Sequence, residues 1–206
     1  MWSRPDPDVL TADRTALVVF DMLECYREGT DPAAIEAIRG LISTCRTAGV
    51  RICFARADHR PDGAEFSTVV ADTDRFFRPY GPDYPQAQRP PHGAGSAGLA
   101  VMAELAPQPE DFDVPKHRWS AFHGTALDLM LRAQRIDTVM LVGGSTHVCI
   151  ASTAYAARDL DYQVVVVADG CTGHEEQRQF FLERVFPRMC RVRTVQQVQT
   201  MLAAGG

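Results

Sequence analysis

β-Branched and apolar residues gather along this chain in short runs: TALVVF at 15–20, VRICFA at 50–55 (broken only by Arg51), TVMLV at 138–142 and QVVVVA at 163–168. Such runs are too short for helices and lack the polar alternation of a strand with one wet face, so they predict strands buried on both sides. Between them the period lengthens. Ile35, Ile38, Leu41, Ile42 and Cys45 keep helical spacing, opened by an Asp31–Pro32 cap and closed at Gly49. Further helices are predicted at 96–105, at 124–135 around Leu127, Met130 and Leu131, from Cys149 to Leu160, at 175–186 and from Val195. Weaker strands follow at 112–115, where Pro115 marks an edge, and at 192–194. Strand, helix, strand in succession is a right-handed crossover, and its repetition implies a parallel sheet. The expected architecture is one α/β domain over 1–206, a doubly wound six-stranded parallel sheet with helices on both faces.

Two stretches escape the pattern. Residues 1–14, rich in Pro and Asp, read as an arm ordered by docking. Residues 57–95 lose periodicity yet carry Phe66, Phe76, Phe77, Tyr80 and Tyr84, which marks them as a lid or an oligomerisation arm rather than a solvated insertion.

Composition narrows the class. A net charge of -5 argues against a nucleic-acid or anionic-membrane surface. No stretch approaches the roughly 20 apolar residues of a spanning helix, and the opening MWSRPDPDVL has no signal-peptide core, so the expected compartment is cytoplasmic. Six cysteines without a C-x-x-C pair read as reduced thiols.

Three predicted strands end on chemical groups: Asp21 after the first, Lys116 after the edge strand, and Cys149 in the turn after 138–142. In a parallel sheet all three reach the same carboxyl edge, where open α/β folds keep their sites. Singly each has an ordinary explanation, as a loop carboxylate, a solvated lysine or a packed thiol. Together they supply a nucleophile, a base and a cation. The helix N-terminus and the nearby ammonium lead us to expect a thiolate at Cys149.

The segments FDM at 20–22, ELAPQPEDFDVPKHRWSAFHGTALDLMLRAQRI at 104–136 and LVGGSTHVCIASTAYAARDLDYQVVVVADGC at 141–171 resemble the isochorismatase-like cysteine hydrolases. The resemblance implies a catalytic triad of Asp21, Lys116 and Cys149, a cis peptide at Gly144–Ser145, and an oxyanion hole from the Ser145 and Cys149 N–H groups. It also points to a dimer or larger homo-oligomer. Members often carry glutamine two places after the first aspartate, but here Leu23 stands there. Some members replace the nucleophile by glycine and cleave the isochorismate vinyl ether, whereas retention of Cys149 points to C–N bonds. Nicotinamidases add a metal on an Asp-x-His element. Here Asp58 and His59 are adjacent and the next histidine is His92, so neither metal nor other cofactor is expected. No phosphate-loop motif surrounds Gly143 and Gly144. Tyr26, Trp119 and Phe122 are candidates for the walls of the substrate pocket, with edge packing as the alternative. The expected activity is hydrolysis of a small-molecule amide or carbamoyl bond through a cysteine thioester. Isochorismate hydrolysis, nicotinamide hydrolysis and a catalytically idle binding subunit are the alternatives.

Overall fold

The computed structural model describes residues 6–60, 64–65 and 97–205. Six strands form one sheet in the order β3-β2-β1-β4-β5-β6, with every pairing parallel: β1 Thr15–Phe20, β2 Arg51–Ala57, β3 Phe112–Lys116, β4 Thr138–Gly143, β5 Gln163–Cys171 and β6 Arg191–Arg193. The central strands β1 and β4 are buried along their whole length, as unbroken apolar runs require.

Alternate residues of each run serve opposite layers. Val18, Phe20, Ala55, Leu141 and Val166 face Leu127 and Leu131 of α2 (Leu127–Ala133) and Ala151, Ala154 and Ala157 of α3 (Ala151–Asp159). Leu17, Val19, Phe54, Met140 and Val165 face Ile38, Leu41 and Ile42 of α1 (Pro32–Ala48) and Val198, Met201 and Leu202 of α5 (Val195–Ala204). A period of two on the strands thereby meets a period of 3.6 on the helices. The cap at α1 is as the sequence implies, with Asp31 accepting from the Ala33 N–H and Gly49 left-handed. Leu10, 2% exposed, joins the α5 layer and donates to the Met201 carbonyl.

Two helices differ from expectation. The 96–105 stretch forms two 3₁₀ turns, Ala97–Leu99 and Ala103–Leu105, flanking an antiparallel bridge between Val101 and Leu23. The Glu24 N–H donates to Ala100 and the Met102 N–H to Met22, so the segment after β1 takes the backbone bonds that a helix would have kept. The 175–186 helix is α-helical only over α4 (Glu175–Phe180), continuing as a π-turn at Phe181–Val185 and a 3₁₀ turn where Pro187 removes a donor. None of the helices among the described residues is long and apolar enough to cross a membrane. Most of the 57–95 loop, with its lid or oligomerisation reading, lies outside the described residues.

Candidate active site

Parallel register brings the strand ends level: Phe20 pairs with Ala55 and with Gly143, and Ala57 pairs with Lys116. Asp21, the first residue past β1, has a left-handed backbone (φ 48°), and its N–H remains tied to the Ala55 carbonyl at 2.9 Å. Its Oδ1 accepts the Ala57 N–H at 2.6 Å, which leaves Oδ2 to take Lys116 Nζ at 2.7 Å. Lys116 arrives there by alternation along β3, where Val114 and Lys116 turn inward while Asp113 and Pro115 turn out. The lysine side chain is 3% exposed and its Nζ lies 3.6 Å from Cys149 Sγ. The structure thus collects on one edge the carboxylate, ammonium and thiol that the sequence placed on separate strands.

Cys149 sits within a π-helical turn, Thr146–Ile150, leading into α3, rather than at an α-helix N-terminus. The loop before it is clamped from both sides. Gly144 N–H donates to the Phe20 carbonyl, and both the N–H and hydroxyl of Thr146 donate to the Thr172 carbonyl past β5. Gly144–Ser145 is cis, and the Ser145 N–H faces the Cys149 sulfur. Gly143, with φ 103°, lies so close to β1 that a Cβ there would overlap the Phe20 carbonyl oxygen. Gly143→Ala should therefore cost about 3 kcal/mol or more, from overlap and a disfavoured backbone together. A chemical-denaturation midpoint unchanged from that of the parent protein would refute this.

The thiolate expectation is corrected by the structure. Burial, then the Asp21 charge, push the Cys149 thiol up to about 12, against the opposing pull of Lys116 and the Ser145 N–H. Burial also disfavours charge on Lys116, but Asp21 and Cys149 outweigh it and its pKa is raised. Burial and the Asp21 carboxylate thus favour the protonated thiol, while Asp21 helps Lys116 keep its charge.

The other candidates separate. Tyr26, 39% exposed as a residue, has its hydroxyl pKa raised, first by burial of the ring and then by the nearby Asp21 carboxylate. Trp119 is 60% exposed beyond β3. Phe122 instead stacks on Tyr162 with ring centroids 5.5 Å apart and packs on the α2 and α3 layer, the edge-packing alternative. Leu23 is fully buried on Leu99 and Ala57, so its packing explains an apolar residue there. His147 pairs with Ser145 Oγ at 3.3 Å and leans on Phe181, a local role. Arg56 near the end of β2 is committed to Asp113 and Asp58. Sequence reasoning missed the Thr172 clamp and the Ala57 N–H on Asp21, because backbone donors leave no mark in residue type. It also missed that Glu65 and His117 lie beside His59.

Comparison with known proteins supports the same grouping. A family model described as the isochorismatase domain matches residues 15–197. Ureidoacrylate amidohydrolase RutB of Methylorubrum extorquens is 31% identical over 188 residues, covering 81% of this chain and 73% of its own length. An isochorismatase family protein from Burkholderia thailandensis superposes with a TM-score of 0.79 at 29% identity, covering 95% of this chain and 98% of that one. N-carbamoylsarcosine amidase from Thermoplasma acidophilum superposes with a TM-score of 0.67 at 28% identity, covering 88% and 96%. With its strand order and its conjunction of carboxylate, ammonium and thiol at one sheet edge, this chain belongs to the isochorismatase family of hydrolases.

Proposed function

We propose that the chain is an amidohydrolase that cuts a small amide or carbamoyl C–N bond through a thioester on Cys149. The observation that carries this reading is the buried contact set around Lys116, 2.7 Å from Asp21 and 3.6 Å from the thiol. The two relatives named for ureido and carbamoyl substrates support the choice of bond.

Proton transfer explains why a neutral thiol suits the task. As sulfur attacks the carbonyl carbon, Asp21 takes the thiol proton, and Lys116 holds the thiolate and carboxylate charges in turn. The carbonyl π electrons move to oxygen, where the Ser145 and Cys149 N–H groups stabilise them. Collapse breaks the C–N bond as Asp21 returns its proton to nitrogen, so ammonia or an amine leaves. Water then attacks the thioester, Asp21 accepts its proton, and the released thiolate takes that proton back. Amides need the protonated leaving group more than esters do, which matches a site built around one shuttling carboxylate.

A panel of ureido acids, maleamate, nicotinamide, simple aliphatic amides and isochorismate should show nitrogen release, foremost from the ureido acids. Pyruvate from isochorismate with no nitrogen released from any amide would overturn the assignment.

A further inference from the structure

We infer that His147 is a positioning residue for the oxyanion hole: its imidazole anchors the Ser145 hydroxyl and thereby fixes the direction of the Ser145 N–H. The inference deepens the proposed function and rests on it for the charge that this N–H stabilises, whereas the side-chain pair belongs to the resting protein.

Each polar group of Ser145 has its own partner in the turn that follows. The carbonyl accepts the N–H groups of Val148 and Ile150, both at 3.2 Å, and the N–H faces the Cys149 sulfur. The hydroxyl donates to His147 Nδ1 at 3.3 Å. With carbonyl and hydroxyl both tied, the residue cannot swing on its backbone, and the N–H keeps its aim at the reacting centre. Gly173 leaves room for this arrangement, since a Cβ there would stand 2.9 Å from Ser145 Oγ.

The imidazole is itself supported. Its ring packs on Phe181 with centroids 6.4 Å apart, and Phe181 meets the fully buried Phe186 edge-on at 5.6 Å. The π-turn Phe181–Val185 thus connects His147 to the core. Burial, then the nearby His174, lower the His147 pKa, so near neutral pH the ring is uncharged and has a nitrogen free to accept. With Nδ1 accepting from Ser145, the ring proton sits on Nε2.

Two substitutions separate the hydrogen bond from the packing. His147→Phe keeps a ring against Phe181 and removes the acceptor, while His147→Asn gives up the ring and keeps an acceptor near the Nδ1 position. Ser145→Ala removes the hydroxyl at the other end and keeps the N–H. On an amide that the parent hydrolyses, His147→Phe and Ser145→Ala should each lower kcat by roughly 10- to 100-fold with KM little changed, the signature of a contact made only in the transition state. Their double variant should fall no further, and His147→Asn should recover most of the rate. Labelling of Cys149 gives a readout that needs no turnover. The Ser145 N–H lowers the thiol pKa against the effect of burial. Alkylation at about pH 9, followed on the Cys149 peptide by mass spectrometry, should therefore be slower in His147→Phe and Ser145→Ala than in the parent or His147→Asn, with thermal melts showing every variant folded. Labelling of Cys149 as fast in His147→Phe as in the parent, or as slow in His147→Asn as in His147→Phe, would overturn the assignment. A parent that releases nitrogen from no amide would overturn the proposed function instead, and the labelling rates would still decide the pair.

Discussion

Cys149→Ala is expected to lower turnover at least about a thousandfold, with Asp21→Asn falling by a similar factor and the double variant no further, because members of one catalytic unit do not contribute additively. Removing the sulfur takes away the atom that attacks. Converting Asp21 to an amide leaves that atom in place with nowhere for its proton to go. The fold should survive Cys149→Ala, since a single small group is lost from the α2 and α3 layer, at a cost of about 1 kcal/mol. Steady-state turnover and thermal melts on the three variants check this. Additive losses would mean that the thiol and carboxylate act in separate steps. The raised thiol pKa carries its own signature. Alkylation of Cys149 should be slow near neutral pH and should still climb above about pH 10, where an ordinary thiol has finished titrating. A plateau below pH 9 would show a thiolate stabilised in the resting enzyme. Slow labelling at neutral pH therefore does not by itself mark an idle subunit.

Lys116→Met should be the most destabilising change in the site. The ammonium is 3% exposed and its partner carboxylate is 10% exposed, so deleting the cation strands a buried negative charge, typically at a cost of roughly 3–5 kcal/mol. Activity should fall with it, because the proton-accepting state of Asp21 loses its counter-charge. Adding Asp21→Asn to Lys116→Met should recover much of the stability and none of the activity, since a neutral pair no longer needs compensation. Denaturant unfolding of the two single variants and the double variant decides. A double variant as unstable as Lys116→Met alone would show that the lysine acts through packing rather than charge.

How much of this was legible beforehand follows from where the physics is local. The runs at 15–20 and 138–142 announce central strands because burial on both faces leaves no polar position. Asp21, Lys116 and Cys149 stand out because each comes where such a run, or the Pro115 edge strand, stops. The 96–105 helix failed for the complementary reason. Leu99, Met102 and Leu105 are buried against residues far away in sequence, and the backbone bonds to Met22 and Glu24 outweigh a weak intrinsic helical preference.

The chain's own pattern of apolar runs and breaks determined the sheet, the crossover helices, and the identity and edge of the three reactive groups. It carried no information on separation or solvation. Whether Lys116 lies between carboxylate and thiol depends on the β2 and β3 register, which is set by contacts across strands some sixty residues apart in sequence. The protonation of Cys149 depends on how fully packing removes water from it, and burial prevailed over the cation that the sequence had favoured. His59, Glu65 and His117 meet only because two strand ends lie side by side, a fact of topology that no local spacing records.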